Sequence, residues 1–483
     1  MHKHLRLTLA TATAAALTSG FLTFAASAAT AADTAAVTTS DADFNGDGLA
    51  DVTVSATGAY VNGQAAAGAL TILYGGGEHV TITQETAGVP GTAEKDDYFG
   101  TDTAYGDFDG DGYDDVAVGA QGEDVGDDVD GGTVAILWGS ATGLKGGTTV
   151  ADPRASSHDW FGSVLEAADF NGDGKDDLAL GTFTAATVDV YRGGFTRAGA
   201  TGGHYTVSVA VQSGDGWGIR FLQSGDANGD GVEDLIVNGY EIDTEDGYNA
   251  NFWYPGSANG ITSATYQKLP AGIITDVGDT DGDGYDDIVF GLAWDDGIAG
   301  AQLGGAALIG HGSASGPAYG DVQTIDQDTV GVPGGGETGD QFGSELDLGD
   351  VNGDGHLDLV VSSPGENLDG VVDAGAATVL YGAADGSGIT GTGARFLDQN
   401  TAGVPNENEA EDRFGSDVHV DDLDGDGRGD VIIGASGENG NNGAVYALRS
   451  GTGDSLSSDA GIYTSTVGIS ATGTPVFGAN FAD

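Results

Sequence analysis

The chain has 483 residues, no cysteine, 88 glycines and a formal net charge of −61, from 75 acids against 14 lysines and arginines. Such a charge repels phosphate backbones and anionic membranes, so nucleic acid is excluded as an expected partner. The missing cysteines exclude disulfide staples and thiol chemistry, while 39% hydrophobic residues suffice for a core.

The chain opens on a positive cluster, His2, Lys3, His4 and Arg6, followed by an apolar run from Leu7 to Phe24 and a small-residue triplet, Ala26-Ser27-Ala28. This predicts an export signal over residues 1–28, cut after Ala28, and a secreted, extracellular product spanning 29–483. No later apolar run is long enough to cross a bilayer, so membrane insertion is not expected.

One phrase then recurs seven times: D-x-[DN]-x-D-G-x-x-D, each time followed by a short apolar run. It places Asp43, Asn45, Asp47 and Asp51 in residues 43–51, Asp107, Asp109, Asp111 and Asp115 in 107–115, and Asp169, Asn171, Asp173 and Asp177 in 169–177. Asp226, Asn228, Asp230 and Asp234 follow in 226–234, then Asp279, Asp281, Asp283 and Asp287 in 279–287. The last two are Asp350, Asn352, Asp354 and Asp358 in 350–358, and Asp422, Asp424, Asp426 and Asp430 in 422–430. Successive starts lie 53 to 72 residues apart. Upstream of most loops stands a Phe-Gly pair, at Phe99, Phe161, Phe342 and Phe414, with Trp217-Gly218 in the fourth unit and Ala271-Gly272 in the fifth. Downstream come β-rich runs such as Val116–Ala120 and Val431–Ala435, then a further strand such as Thr133–Trp138. Short strands rich in Val, Ile and aromatics between Gly and Asp turns read as antiparallel meanders. Seven such units predict an all-β, seven-bladed β-propeller with four-stranded antiparallel blades. The first unit lacks its Phe-Gly, and Phe477-Gly478 at the other end has no Asp loop after it. The two gaps are complementary, so the C-terminal strand is expected to join the N-terminal blade and close the ring.

The loops carry the chemistry. Calcium takes six to eight hard oxygen ligands, and acids at positions 1, 3 and 5 of a loop with Gly at 6 aim short side chains at one centre, which Asp at 9 completes. Position 12 is apolar throughout (Val54, Val118, Leu180, Val237, Phe290, Val361 and Ile433) where an EF-hand has Glu, so each loop runs into a strand and not a helix. Up to seven Ca²⁺ are expected as structural staples in place of disulfides, their binding energy becoming folding energy.

Phe-Gly, Asp loop and Gly-Ala (Gly119-Ala120, Gly434-Ala435) together resemble the FG-GAP repeat of the integrin α-subunit N-terminal propeller and of many secreted bacterial proteins. The resemblance implies Asp loops joining the first two strands of each blade on one face, with ligands met by loops on the other. Units three to five depart from it, at Gly181-Thr182, Asn238-Gly239 and Gly291-Leu292 and in the lost Phe of the fifth unit.

Other features weigh less. Arg428-Gly429-Asp430 spells an adhesion tripeptide, but Asp430 is loop position 9 and committed to metal. Tyr74, Trp138 and Tyr381 read as packing residues, and Trp160 and Trp217 as core. Trp253, Tyr254 and Trp294 lie in irregular segments where sugar stacking and packing both remain open. Inserts at Thr86–Pro90, Thr329–Pro333 and Thr401–Pro405 are either binding loops or conventional turns. The histidines share no spacing across units, and no nucleophile elbow occurs. The leading expectation is a monomeric, non-catalytic binding or adhesion protein for an extracellular glycan or protein. The alternatives are a polysaccharide- or ester-cleaving enzyme on the same scaffold and a cell-envelope structural protein.

Overall fold

A computed structural model describes residues 42–481, apart from 156–158, 215, 244–248, 321, 453–454 and 459. The export-signal expectation therefore lies outside the described residues. No described helix is long and apolar enough to cross a membrane.

The chain winds through seven antiparallel sheets as a β-propeller. Blade 2 shows the pattern: Phe99–Gly106 innermost, then Asp115–Ala120, Thr133–Trp138 and Lys145–Val150 outward. The second strand of a blade is covered on both faces by its neighbours, and the sequence shows it. Asp115–Ala120, Asp287–Leu292, Asp358–Ser363 and Asp430–Ala435 are near-continuous apolar runs, buried at every position. The outermost strand faces water, and Gly203–Ser208 accordingly alternates. Seven hydrophobic clusters each draw on two adjacent blades, so the core is a ring of blade interfaces. Blade 7 adds Ile462–Tyr463 on the far side of Ala444–Gly451.

The ring closes as the ends of the sequence suggest. Val52–Ala56, Ala69–Leu73 and His79–Ile82 form three strands of blade 1, and residues 478–481 lie along the bare edge of Val52–Ala56. Phe481 bridges Val54, Ser55 N–H donates to Asn480 O at 2.9 Å, and Gly478 N–H donates to Ser55 O at 3.2 Å.

The Phe-Gly pairs are the locks between blades. Phe99, Phe161, Phe342, Phe414 and Phe477 are all fully buried, and each forms a parallel bridge to a glycine of the preceding blade: Gly68, Gly132, Gly305, Gly375 and Gly443. Those glycines adopt φ of +78° to +102°, and a Cβ on any of them would run into the Phe backbone. The fourth blade breaks the pattern. Trp217, expected in the core, is 44% exposed and stacks edge-on against Tyr240, while Ile219 is buried against Gly181.

A second set of ties was not foreseen. Asp102, Asp276, Asp347 and Asp417 on the innermost strands each accept a backbone N–H from the next innermost strand: Leu165 at 2.9 Å, Leu348 at 2.7 Å, Val420 at 2.7 Å and Phe481 at 2.6 Å. The last of these pins the C-terminal segment.

Candidate functional site

In blades 2 to 7 the Asp loop joins the first and second strands, and in blade 1 it leads into Val52–Ala56, so all seven open on one face. Position 1 organises the loop: both oxygens of Asp107 accept backbone N–H groups, from Gly110 (2.8 Å) and Asp111 (3.0 Å) on one and Gly112 (3.0 Å) on the other. The same three-bond pattern recurs on Asp43, Asp279, Asp350 and Asp422. Position 9 is held from outside the loop. One oxygen of every position-9 Asp accepts the N–H at the end of the third strand: Gly75 to Asp51, Gly139 to Asp115, Gly193 to Asp177, Gly256 to Asp234, Gly312 to Asp287, Gly382 to Asp358 and Ser450 to Asp430, at 2.7–3.0 Å. These seven carboxylates are almost wholly buried. Burial pushes Asp51, Asp115 and Asp234 up to about 7, Asp358 to about 8, and Asp177 and Asp430 to about 6.

The loops are not equivalent. Carboxylate oxygens of Asp107, Asp109 and Asp115 come within 4.8 Å of one another, as do those of Asp279, Asp281 and Asp283 and those of Asp422, Asp424 and Asp430. In the third and fourth loops the Asn at position 3 turns its amide onto position 9: Asn171 donates to Asp177 at 2.8 Å and Asn228 to Asp234 at 3.1 Å. Side chains from elsewhere also enter. The Arg197 guanidinium reaches Asp109 and Asp111 at 2.8 Å each, Arg449 reaches Asp430 at 2.6 Å, and His311 Nδ1 lies 3.2 Å from Asp287 and 3.4 Å from Asp281. His311 and Arg449 each precede the residue whose N–H holds position 9, a place that Tyr74, Trp138 and Tyr381 fill in other blades. The sequence signal for these bases was present in that alignment but is visible only once the third strand is seen to end beside the loop. Position 8 was missed as well: Asp114, Asp176 and Asp286 accept the position-1 N–H of the preceding blade's loop, at 2.8–3.1 Å.

The donor set suits a hard divalent cation. In the second loop Asp109 Oδ1 and Asp115 Oδ2 are buried without a hydrogen-bond partner, and an oxygen-loving ion is the group that satisfies such atoms. The adhesion-like tripeptide is tied into the fold: Arg428 reaches Asn352 O, Gly429 N–H donates to Asp350 O, and Asp430 is buried.

The opposite face holds a cavity of about 570 Å³, lined by Arg220, Tyr240, Asn249, Trp294, Ser344 and Glu345 among others. It opens where the connector between blades is shortest: only Gly272 and Ile273 separate Gln267–Ala271 from Ile274–Gly278, whereas residues 83–98 separate blades 1 and 2. The Arg220 guanidinium lies 4.6 Å over the Phe183 ring and 5.9 Å from that of Tyr240. Trp253 and Tyr254 are packing residues, buried, with Trp253 Nε1 donating to Asp234 at 2.7 Å. Trp294 lines the cavity.

The FG-GAP repeat family matches residues 37–73, 99–137, 161–191, 342–380 and 414–448, which are blades 1, 2, 3, 6 and 7. Integrin alpha pat-2 of Caenorhabditis elegans and that of Caenorhabditis briggsae are each 31% identical over 245 residues, 44% of this chain and 19% of theirs. Phosphatidylinositol-glycan-specific phospholipase D of Dictyostelium discoideum is 39% identical over 100 residues, 20% of this chain and 10% of its own. The chain thus spans about a fifth of the length of the integrin relatives it matches.

Proposed function

We propose that this propeller of FG-GAP repeats is an extracellular, non-catalytic binding protein whose Asp loops hold structural calcium and whose opposite face meets a glycan or protein ligand. On this reading residues 1–28 are removed on export and 29–483 form the ring. The observation that supports ligand binding is the cavity lined by Arg220, Tyr240 and Trp294. Arg220 is one of 14 lysines and arginines in a chain of net charge −61, and its guanidinium lies near the Phe183 and Tyr240 rings at the cavity wall. A positioned guanidinium beside Trp and Tyr suits a sugar ring or an acidic peptide side chain. Calcium, up to seven ions, is supported by the repeated donor sets. The second, fifth and seventh loops bring three carboxylates together, so they are the best-formed cages, and Arg197, His311 and Arg449 tune them.

A second reading, hydrolysis of a polysaccharide or ester, draws on the likeness to phospholipase D, which covers 20% of this chain. A glycan and matrix-protein array, run with calcium and with chelator, tests both. Retention of a ligand that is lost in Arg220→Ala and Trp294→Ala, with the melting temperature unchanged, supports the binding reading. Turnover of an arrayed glycan or ester without retention supports hydrolysis and overturns it.

A further inference from the structure

On the face opposite the Asp loops, three blade junctions share a spacing. A Gln is followed by Thr at +2, Gly-Val-Pro at +4 to +6, Glu at +10, Asp at +13, the Phe-Gly at +15, and a second Glu at +39. The members are Gln84, Glu94, Asp97 and Glu123 between blades 1 and 2, and Gln327, Glu337, Asp340 and Glu366 between blades 5 and 6. Gln399, Glu409, Asp412 and Glu438 stand between blades 6 and 7.

The structure folds each set onto one point. The Gly-Val-Pro stretch turns back on itself through Val N–H to Thr O bonds of 2.9–3.0 Å, returning the chain to the start of the next blade. The backbone N–H of Glu94, Glu337 and Glu409 donates to Asp97, Asp340 and Asp412 at 2.6, 2.7 and 3.0 Å. Gln84, Gln327 and Gln399 donate Nε2 to Glu123, Glu366 and Glu438 of the following blade at 2.5, 2.6 and 2.7 Å. Between blades 5 and 6, carboxylate oxygens of Glu337, Asp340 and Glu366 lie within 4.8 Å of one another.

Asp340, Glu366 and Gln327 are buried while Glu337 stands exposed at the rim, and among the described residues no base pairs with these carboxylates. Asp340 is 0% exposed, Gln327 2% and Glu366 5%. Asp340 Oδ1 has no hydrogen-bond partner, nor have the Oε1 atoms of Gln84, Gln327 and Gln399. Burial, with Glu337 and Asp295 nearby, pushes Asp340 up to about 6, and burial, with Asp340 and Glu337 nearby, pushes Glu366 up to about 7; all of these neighbours are acids. Two buried carboxylates with a third at the rim repel and are destabilising unless an ion or protons neutralise them. The unused atoms are all hard oxygens.

We propose that the junction between blades 5 and 6 is a second kind of divalent-cation site. Glu337, Asp340, Glu366 and the Gln327 amide oxygen would hold one Ca²⁺ there, and the equal spacing repeats the site at the other two junctions. The ion joins a connector of one blade to the second strand's exit loop in the next, so it clamps blades together where an Asp-loop ion stiffens a single hairpin. An amide oxygen with three carboxylates suits calcium over magnesium, which keeps its waters.

Calcium bound per chain, counted by equilibrium dialysis of the whole protein, tests this. The double variant Asp340→Asn/Glu366→Gln should bind one ion fewer than wild type, and the triple variant Glu123→Gln/Glu366→Gln/Glu438→Gln three fewer. The change Asp354→Ala, in the sixth Asp loop, is the control for the other class of site. If Asp354→Ala leaves the count unchanged while the triple variant lowers it, the loop reading fails and the junction sites stand. An unaltered count in a folded triple variant overturns the proposal. Should the variants not fold, anomalous diffraction from wild-type crystals grown in calcium decides: a peak between Asp340 and Glu366 supports the site, and none there overturns it.

Discussion

Asp115 has one oxygen on the Gly139 N–H and the other buried without a partner. On the proposed calcium reading, its place in the fold makes stability depend on pH and calcium together. Without a cation, burial raises the carboxyls of Asp51, Asp115, Asp177, Asp234, Asp358 and Asp430 from 3.8 to between about 6 and about 8. A folded-state value above the unfolded one means the fold holds its protons more tightly. The associated stability is complete below pH ~4 and lost as pH rises through the raised values. Calcium binds the ionised form, so its stabilising effect grows over that same window. The melting temperature in EDTA should therefore fall between pH 5 and pH 8.5, while in millimolar calcium it should hold, widening the gap. A gap of equal size at both ends would sink the claim. The four acidic or Asn positions of each loop are spelled out in the sequence because the loop turns within nine residues. Arg197, His311 and Arg449 were not legible as cage neighbours, because they arrive from other strands and only the fold sets those distances.

At the scale of strands, the Phe-Gly locks and the inner-strand carboxylates hold neighbouring blades. Gly443 sits at φ +85° against the Phe477 backbone, a conformation that costs a residue with Cβ about 1–3 kcal/mol before any collision. Asp417 accepts the Phe481 N–H, and its loss leaves a buried donor unpaired, at about 1–3 kcal/mol. Gly443→Ala and Asp417→Ala should each lower the thermal midpoint, and Asp417→Asn, which keeps an acceptor oxygen, should recover part of the loss. If Asp417→Asn unfolds as readily as Asp417→Ala, the hydrogen bond is not the cause. The locks could be read as Phe-Gly pairs, yet Trp217-Gly218 misled: it copies the spelling while Ile219 fills the buried place and Trp217 reaches solvent. The carboxylate ties escaped notice because acid and N–H lie 63 to 73 residues apart, in strands whose adjacency only the closed ring creates. The Gln, Glu, Asp, Glu spacing was in the sequence all along, but its inserts read as loops until both sides of a junction were seen together.

For the molecule as a whole, seven interfaces of similar build leave no privileged hydrophobic centre. Stability depends on the ring being complete, because an open spiral leaves two blade faces and a strand edge in water. Deleting residues 477–483 removes Phe477 and Phe481 from the interface between blades 7 and 1. The truncated chain should melt well below the whole one and self-associate, which sedimentation velocity would register. A monomeric deletion product with an unchanged midpoint would refute closure as a source of stability. The seven-blade count and the closing strand were legible because repetition writes them seven times over. The cavity beside Arg220 was not, since it arises where a connector shrinks to Gly272 and Ile273 in the two blades that the repeat family does not match.

Blade 1 thus takes three strands from the beginning of the chain and its last edge from the end. A growing polypeptide can assemble blades 2 to 6 in order as they emerge, but the first must wait for the final residues to be synthesised. Until then Val52–Ala56 offers an unpaired backbone to any extended segment nearby. A prematurely stopped product carries that bare edge permanently, which marks it as unfinished to proteases and chaperones that grip exposed strands.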